Sequence, residues 1–111
     1  GFAPTLFDAA DGVGGQWCLH APGSRTWPGM RTNTSRVTTA FSDLPLPDGT
    51  PVYPTVEQVG AYLGRYAARF GLLDGARLRT RVEHVAPLAD AGERMVRARA
   101  ADGRSTTERY D

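Results

Sequence analysis

Leu6-Phe7-Asp8-Ala9-Ala10-Asp11-Gly12-Val13-Gly14-Gly15-Gln16-Trp17 is the stretch on which the reading of this chain turns. Residues Phe2 to Phe7 alternate loosely and are rich in strand formers, and they stop at Asp8 before a loop running from Asp11 to Gly15. A carboxylate at the C-terminal end of a strand can accept hydrogen bonds from both hydroxyls of a ribose, which is how dinucleotide-binding sheets use that position. Gly14-Gly15 would let the backbone approach a ligand without a Cβ in the way, and Trp17 offers a flat apolar face. Spacing alone leaves an ordinary glycine turn as the other reading.

Beyond Trp17 the chain changes character. From Gln16 to Pro54 it is dense in Pro, Gly, Ser and Thr, with no helical period and only short strand-like pieces. A loop of that length inside a compact domain is usually functional. The alternative is a pair of short ordered turns packed on the core by Trp17, Trp27, Phe41 and Leu44. Thr55 and Gln58 have capping-box spacing, Val56, Val59, Leu63, Tyr66, Ala67 and Phe70 recur at helical intervals, and Gly71 supplies a stop. The spacing predicts a helix over Thr55 to Phe70 with Arg65 and Arg69 on its wet side. Leu78, Thr80 and Val82 alternate with Arg77, Arg79 and Arg81, as in a half-exposed strand, and a second strand runs from about Arg94 to Ala100. Asp102-Gly103 is a hairpin signal that returns the chain along Ser105 to Tyr110. The expected order is strand, long loop, helix and a three-stranded antiparallel meander.

Composition narrows the function. The 111 residues allow one small domain or a piece of a larger one, and 41% hydrophobic with 23% charged residues is ordinary globular usage. Net charge is +1, so a polyanion such as nucleic acid finds no global attraction, and the alternating arginines read as a solvated sheet face. Cys18 is the single cysteine, which excludes an internal disulfide and points to a reducing, cytoplasmic setting. Cys18 and His20 lack further ligands in range, so no metal is expected, and no apolar run approaches the roughly 18 residues of a membrane span. The chain starts at Gly1 rather than Met and ends at Asp111 straight after a strand-like run, from which an interior segment of a longer protein is expected.

Phe7-Asp8, Gly14-Gly15 and Trp17 together resemble the second strand of the FAD domain in flavin-containing monooxygenases and the similar Baeyer-Villiger monooxygenases, which reads strand, Glu or Asp, several residues, then Gly-Gly-x-Trp. Trp27-Pro28-Gly29-Met30-Arg31-Thr32-Asn33-Thr34-Ser35-Arg36 is similar to the family's aromatic-Pro-Gly followed by a Thr-Asn-Thr-Ser segment, and Phe41-Ser42-Asp43-Leu44-Pro45-Leu46-Pro47 to its Phe-x-Asp-Phe-Pro-Phe-Pro. The resemblance covers nearly the whole chain in the right order. It departs in two respects: the Gly-x-Gly-x-x-Gly loop that receives the FAD pyrophosphate is missing, and so are the NADPH domain, its own glycine-rich loop and the fingerprint between the two domains.

The resemblance implies an α/β fold, a partial three-layer FAD/NAD(P)-binding Rossmann-type domain with a long loop, one main helix and an antiparallel meander, residues 1–111 being an interior fragment of that domain. It implies FAD and NADPH as cofactors, and O2 and a small organic molecule as substrates, with N- or S-oxygenation favoured by the Asn-Thr-Ser run. Ketone oxidation of the Baeyer-Villiger type is the alternative within the class, and a noncatalytic remnant or interaction module the alternative outside it. By position in the motifs, Asp8 would bind the adenosine ribose, Gly14, Gly15 and Trp17 would line the cofactor, and Asn33, flanked by Thr32 and Thr34, would face the flavin ring and the nicotinamide. Without the resemblance, Asn33 reads as a turn residue capping its own backbone.

Overall fold

The computed structural model describes residues 2–89 and 92–111. The chain divides into two compact units, one formed by Gly1–Asp11 with Asp74–Asp111 and the other by Gly12–Leu73.

The first unit holds the five strands found among the described residues: β1 (Leu6–Phe7), β2 (Ala76–Arg77), β3 (Thr80–Pro87), β4 (Arg94–Ala100) and β5 (Ser105–Tyr110). β1 pairs in parallel with β2, Leu6 opposite Ala76 and Phe7 opposite Arg77. β3, β4 and β5 form the expected antiparallel meander, with a bulge between Val82 and His84. The β4–β5 turn lies at Asp102-Gly103, but Gly103 alone takes positive φ, and the Gly103 N–H donates to the Ala100 carbonyl at 2.9 Å while the Ala100 N–H donates to that of Arg104 at 2.8 Å. Those two bonds close a longer hairpin loop than the two-residue turn that Asp-Gly most often signals.

Two expectations for this unit need correction, and one pairing was not foreseen. The first strand is two residues long rather than spanning Phe2 to Phe7, because only Leu6 and Phe7 find a pairing partner. The parallel β1–β2 pair went unread, since Ala76-Arg77 is too short to carry a period. The alternation of Leu78, Thr80 and Val82 does not produce a buried face either: Val82 and Val85 are 38% and 54% exposed, and Ala98 is the one fully buried apolar residue that this unit shows among the described residues. The arginines behave as surface charges. Arg99 and Arg97 both reach Glu83, at 2.6 and 3.7 Å, and Arg77 pairs with Glu108 while lying 5.2 Å over the Phe7 ring.

In the second unit, α2 (Val56–Arg69) is the organising element. Its N-terminus carries the complete capping box: the Gln58 N–H donates to Thr55 Oγ1 at 3.3 Å and the Thr55 N–H donates to Gln58 Oε1 at 2.9 Å. At the other end the Leu72 N–H donates to the Ala67 carbonyl at 2.9 Å and the Gly71 N–H to that of Ala68 at 3.4 Å, the paired bonds of a Schellman stop at Gly71. Val56, Val59, Tyr62 and Ala67 are buried, and Arg65 and Arg69 are exposed as expected. Tyr62, absent from the apolar stripe read in the sequence, is 1% exposed and central, whereas Phe70 is 40% exposed.

The stretch from Gly15 to Pro54 is built of turns, bends and short helical pieces. It contains a 3₁₀ turn at Gly15–Trp17 and a one-turn helix α1 (Arg36–Thr39) capped by Ser35, neither of which has enough residues to show a period in sequence. Of the four side chains expected to pack it down, Trp17 and Leu44 are half-buried, while Trp27 and Phe41 are 62% and 49% exposed. Polar contacts do much of the anchoring instead. The Tyr62 hydroxyl donates to the Leu44 carbonyl at 2.7 Å and accepts from the Phe41 N–H at 2.8 Å, and the Tyr66 hydroxyl donates to the Asp43 carboxylate at 3.0 Å.

Candidate functional site

Asp8 follows β1 directly, and its backbone is held on both sides. Its N–H donates to the Arg77 carbonyl at 3.2 Å and its own carbonyl accepts from the Thr80 N–H at 2.8 Å. The Ala10 N–H donates to Asp8 Oδ1 at 2.8 Å, which turns the chain away from the strand and fixes the carboxylate. The residue is exposed, and its second carboxylate oxygen has no hydrogen-bond partner among the described residues. An anchored carboxylate with one oxygen still available fits a ribose hydroxyl. Arg79 passes close by in a left-handed conformation, φ 52, with its N–H donating to the Ala10 carbonyl and its carbonyl accepting from the Ala101 N–H, both at 2.8 Å. Nothing in the sequence marks Arg79 for that geometry.

The other candidates belong to the unit Gly12–Leu73. Gly14 and Gly15 both have positive φ, 122 and 50, and start the 3₁₀ turn in which the Trp17 N–H donates to the Gly14 carbonyl at 2.8 Å. No packing within the chain requires glycine there: a Cβ on Gly15 would meet nothing within 4 Å, and one on Gly14 would make only ordinary contacts. The crowded glycine of this unit is Gly60, where a Cβ would stand 2.7 Å from the Trp17 carbonyl oxygen. Gly60 thus lets the turn carrying Trp17 lie directly on α2, a role hidden in the sequence because Gly60 looks only like a poor helix former.

Thr32, Asn33 and Thr34 are brought together, with different environments. Thr32 is buried, its N–H donating to the Pro54 carbonyl at 2.9 Å and its hydroxyl to the Thr34 carbonyl at 2.7 Å. The Thr34 hydroxyl shares a hydrogen bond with that of Thr39 at 2.9 Å. Asn33 sits between them, exposed, and its amide makes no hydrogen bond to any described residue. The turn-capping alternative for Asn33 therefore has no bond to support it. Thr32 is a buried brace of its own loop, with its hydroxyl already used internally.

Sequence reading missed the groups that hold this loop. The Arg31 guanidinium donates to the Tyr53 carbonyl at 2.9 Å, that of Arg36 donates to the Thr50 carbonyl at 2.7 Å, and the Gly29 N–H donates to Glu57 Oε1 at 3.1 Å. Arg31 and Arg36 stand inside a quoted motif, yet their carbonyl partners lie 22 and 14 residues away, beyond any local signal. A cleft of about 390 Å³ opens beside α1, lined by Arg36, Val37, Phe41, Ser42, Leu46 and Asp48 among others.

Comparison with known proteins assigns the chain to a family. Residues 1–103 match the family described as "Flavin-binding monooxygenase-like". Over 94 residues the chain is 33% identical to flavin-containing monooxygenase 1 of Canis lupus familiaris, covering 81% of this chain and 18% of that protein. Among solved structures, S-allyl-L-cysteine S-oxygenase from Allium sativum superposes with a TM-score of 0.82 at 24% identity, covering 96% of this chain and 29% of that one. A steroid monooxygenase bound to NADP superposes with a TM-score of 0.73 at 27% identity, covering 93% of this chain and 19% of that one. The chain spans less than a fifth of the length of the dog enzyme. The α/β architecture is the one these structures share, and the chain belongs to the flavin-binding monooxygenase-like family.

Proposed function

We propose that residues 1–111 are an interior part of the FAD-binding domain of an FAD- and NADPH-dependent monooxygenase, which places one oxygen of O2 on a nitrogen or sulfur atom of a small organic substrate in the cytoplasm. The observation that carries this reading is the pairing of a braced loop with an unbraced side chain: Thr32 and Thr34 are tied down, and Asn33 between them keeps a free amide. Family membership over residues 1–103 and the NADP-bound relative support the cofactor pair.

Asp8 would hold the adenosine ribose through its free carboxylate oxygen, while Gly14, Gly15 and Trp17 would line the cofactor, with Trp17 steadied by its seat on Gly60. FAD, when bound, supplies electron transfer from NADPH and the activation of O2. The work of this chain is to orient and to exclude water. An amide at Asn33 both donates and accepts, so it can satisfy the polar edge of a flavin or a carboxamide without carrying charge. The Asn33-Thr34-Ser35 run supports heteroatom over ketone oxidation.

The test is the Asn33→Ala variant of the full-length protein, assayed with an organic sulfide, a tertiary amine and a cyclic ketone. NADPH consumption should continue while product per NADPH falls and hydrogen peroxide rises. Unchanged product per NADPH would remove Asn33 from the site, and turnover of the ketone alone would replace heteroatom oxidation by the Baeyer-Villiger reaction.

A further inference from the structure

The turn that leads into Asn33 has an anchor that helix α2 does not need for itself. Trp27-Pro28-Gly29-Met30 closes through the Met30 N–H donating to the Trp27 carbonyl at 3.1 Å, with Gly29 at φ 76. Pro at the second position and a positive-φ Gly at the third is the pattern of a type II turn, whose own hydrogen bond leaves the Gly N–H without a partner. That N–H donates to Glu57 Oε1. Backbone pairing then carries the chain forward: the Val56 N–H donates to the Met30 carbonyl at 2.8 Å, Arg31 bridges to Thr55, and Thr32 is bonded to Pro54.

The capping box is complete with Thr55 and Gln58, and Glu57 is exposed, so burial does not account for it; besides the Gly29 N–H, its carboxylate meets only groups of its own helical turn, the Glu57 N–H and the Thr55 side chain. Its place in the first helical turn suits a carboxylate, because the helix N-terminus is the positive end of the backbone dipole. Its carboxyl is held below the usual carboxylate range, first by the hydrogen bond from Gly29. The contact joins the outward side of the turn to the rigid helix, three residues before Thr32 and four before Asn33 in the chain.

We infer that Glu57 is a positioning residue for oxygen transfer: through the Gly29 N–H it fixes the turn that presents Asn33. The inference rests on the reading of Asn33 given above. Thr32 and Thr34 brace the segment from within, and Glu57 braces it from the helix. Losing this bond leaves α2 capped and the core intact, while the Trp27–Met30 turn gains freedom and the backbone that carries Asn33 gains it too.

The experiment uses Glu57→Ala and Glu57→Gln in the full-length protein, since Gln keeps an acceptor oxygen at the same distance along the side chain. For Glu57→Ala, hydrogen peroxide formed per NADPH should rise about two- to fivefold, the population change expected when one modest hydrogen bond is lost. FAD content should stay at the wild-type level, and Glu57→Gln should restore most of the coupling. Independently of activity, amide exchange at Gly29 should quicken by a similar factor in the Ala variant and stay slow in the Gln variant. Unchanged Gly29 exchange in Glu57→Ala would refute the contact, and faster exchange with wild-type coupling would refute its positioning role. Asn33→Ala separates the two readings: if it uncouples while Glu57→Ala does not, Glu57 alone is withdrawn, and if it leaves coupling intact, the assignment of Asn33 fails and this inference with it.

Discussion

The two units of the chain divide regularity and burial between them. The unit Gly12–Leu73 has one long helix amid turns, yet it buries Leu46, Val56, Val59, Tyr62 and Ala67. The other unit contains β1 to β5 and, among the described residues, buries one apolar side chain, Ala98. A hydrogen-bonded ladder satisfies backbone groups whatever its side chains face, so a sheet can be regular with both faces wet. A loop without a ladder has to satisfy its backbone through side chains, and Tyr62, Arg31, Arg36 and Thr50 donate to loop carbonyls for that reason. Order in the loop region is thus written in long-range side-chain contacts, and order in the meander in local backbone pairing.

This contrast makes its largest prediction at Tyr62. Tyr62→Ala should destabilise the chain by about 3 to 5 kcal/mol, the range for truncating a buried aromatic, followed by urea unfolding with fluorescence of Trp17 and Trp27 as the local probe. Val85→Ala on the meander should cost less than about 1 kcal/mol, since a half-exposed strand residue loses mainly β propensity. Equal costs for the two variants would erase the difference between the units and would mean that the meander faces are covered in the full-length protein.

A middle-sized effect is expected at Arg79, the one non-glycine residue with positive φ among the described residues. The left-handed conformation costs an L-residue with a Cβ about 1 to 2 kcal/mol, most for β-branched side chains. Arg79 is exposed, and its ion pair with Asp11 is long at 4.0 Å, so little is lost with the side chain. Thermal unfolding should therefore rank Arg79→Gly at or above wild type by up to about 1 kcal/mol, and Arg79→Val below it by a similar amount. If Val is tolerated as well as Gly, the segment beside Asp8 is not held as the backbone bonds indicate, and the meander unit is looser than its ladder implies.

The smallest effect concerns acid. Glu108 is held below the usual carboxylate range, first by its hydrogen bond from Arg77, and Glu83 likewise by that from Arg99. A carboxyl with a lower pKa in the folded state leaves the unfolded state binding more protons, so stability is full above the ordinary carboxylate value and falls as pH drops through the folded one. Between about pH 5 and pH 3, the meander should weaken by a small, salt-sensitive amount, because both pairs are exposed. Glu83→Gln with Glu108→Gln should flatten the acid limb of a stability profile. An unchanged limb would show that these pairs contribute nothing measurable, and would leave the exposed meander held by backbone pairing alone.

Much of this molecule was legible in its sequence. The helix from its capping box, its stop at Gly71, the meander with its turn at Asp102-Gly103, and the motifs shared with flavin monooxygenases all depend on residues close together along the chain. Local spacing is what sequence displays, and secondary-structure periods and turn chemistry are local by nature. Tertiary structure alone decided the rest. Tyr62 became the pivot of the loop, Gly60 the seat of Trp17, and Glu57 the partner of Gly29, each through a contact across many residues. Ala76-Arg77 became a strand because Leu6 and Phe7 came alongside, and Val82 is exposed in a unit that shows no helix among the described residues. The candidate site shows the same division. Asp8, Gly14, Gly15, Trp17 and Asn33 were readable as residue types at suggestive places, but that one oxygen of Asp8 and the amide of Asn33 find no hydrogen-bond partner among the described residues emerged only from the fold around them. Sequence determines which groups a chain carries, and folding determines which of them remain unsatisfied and so available to a ligand.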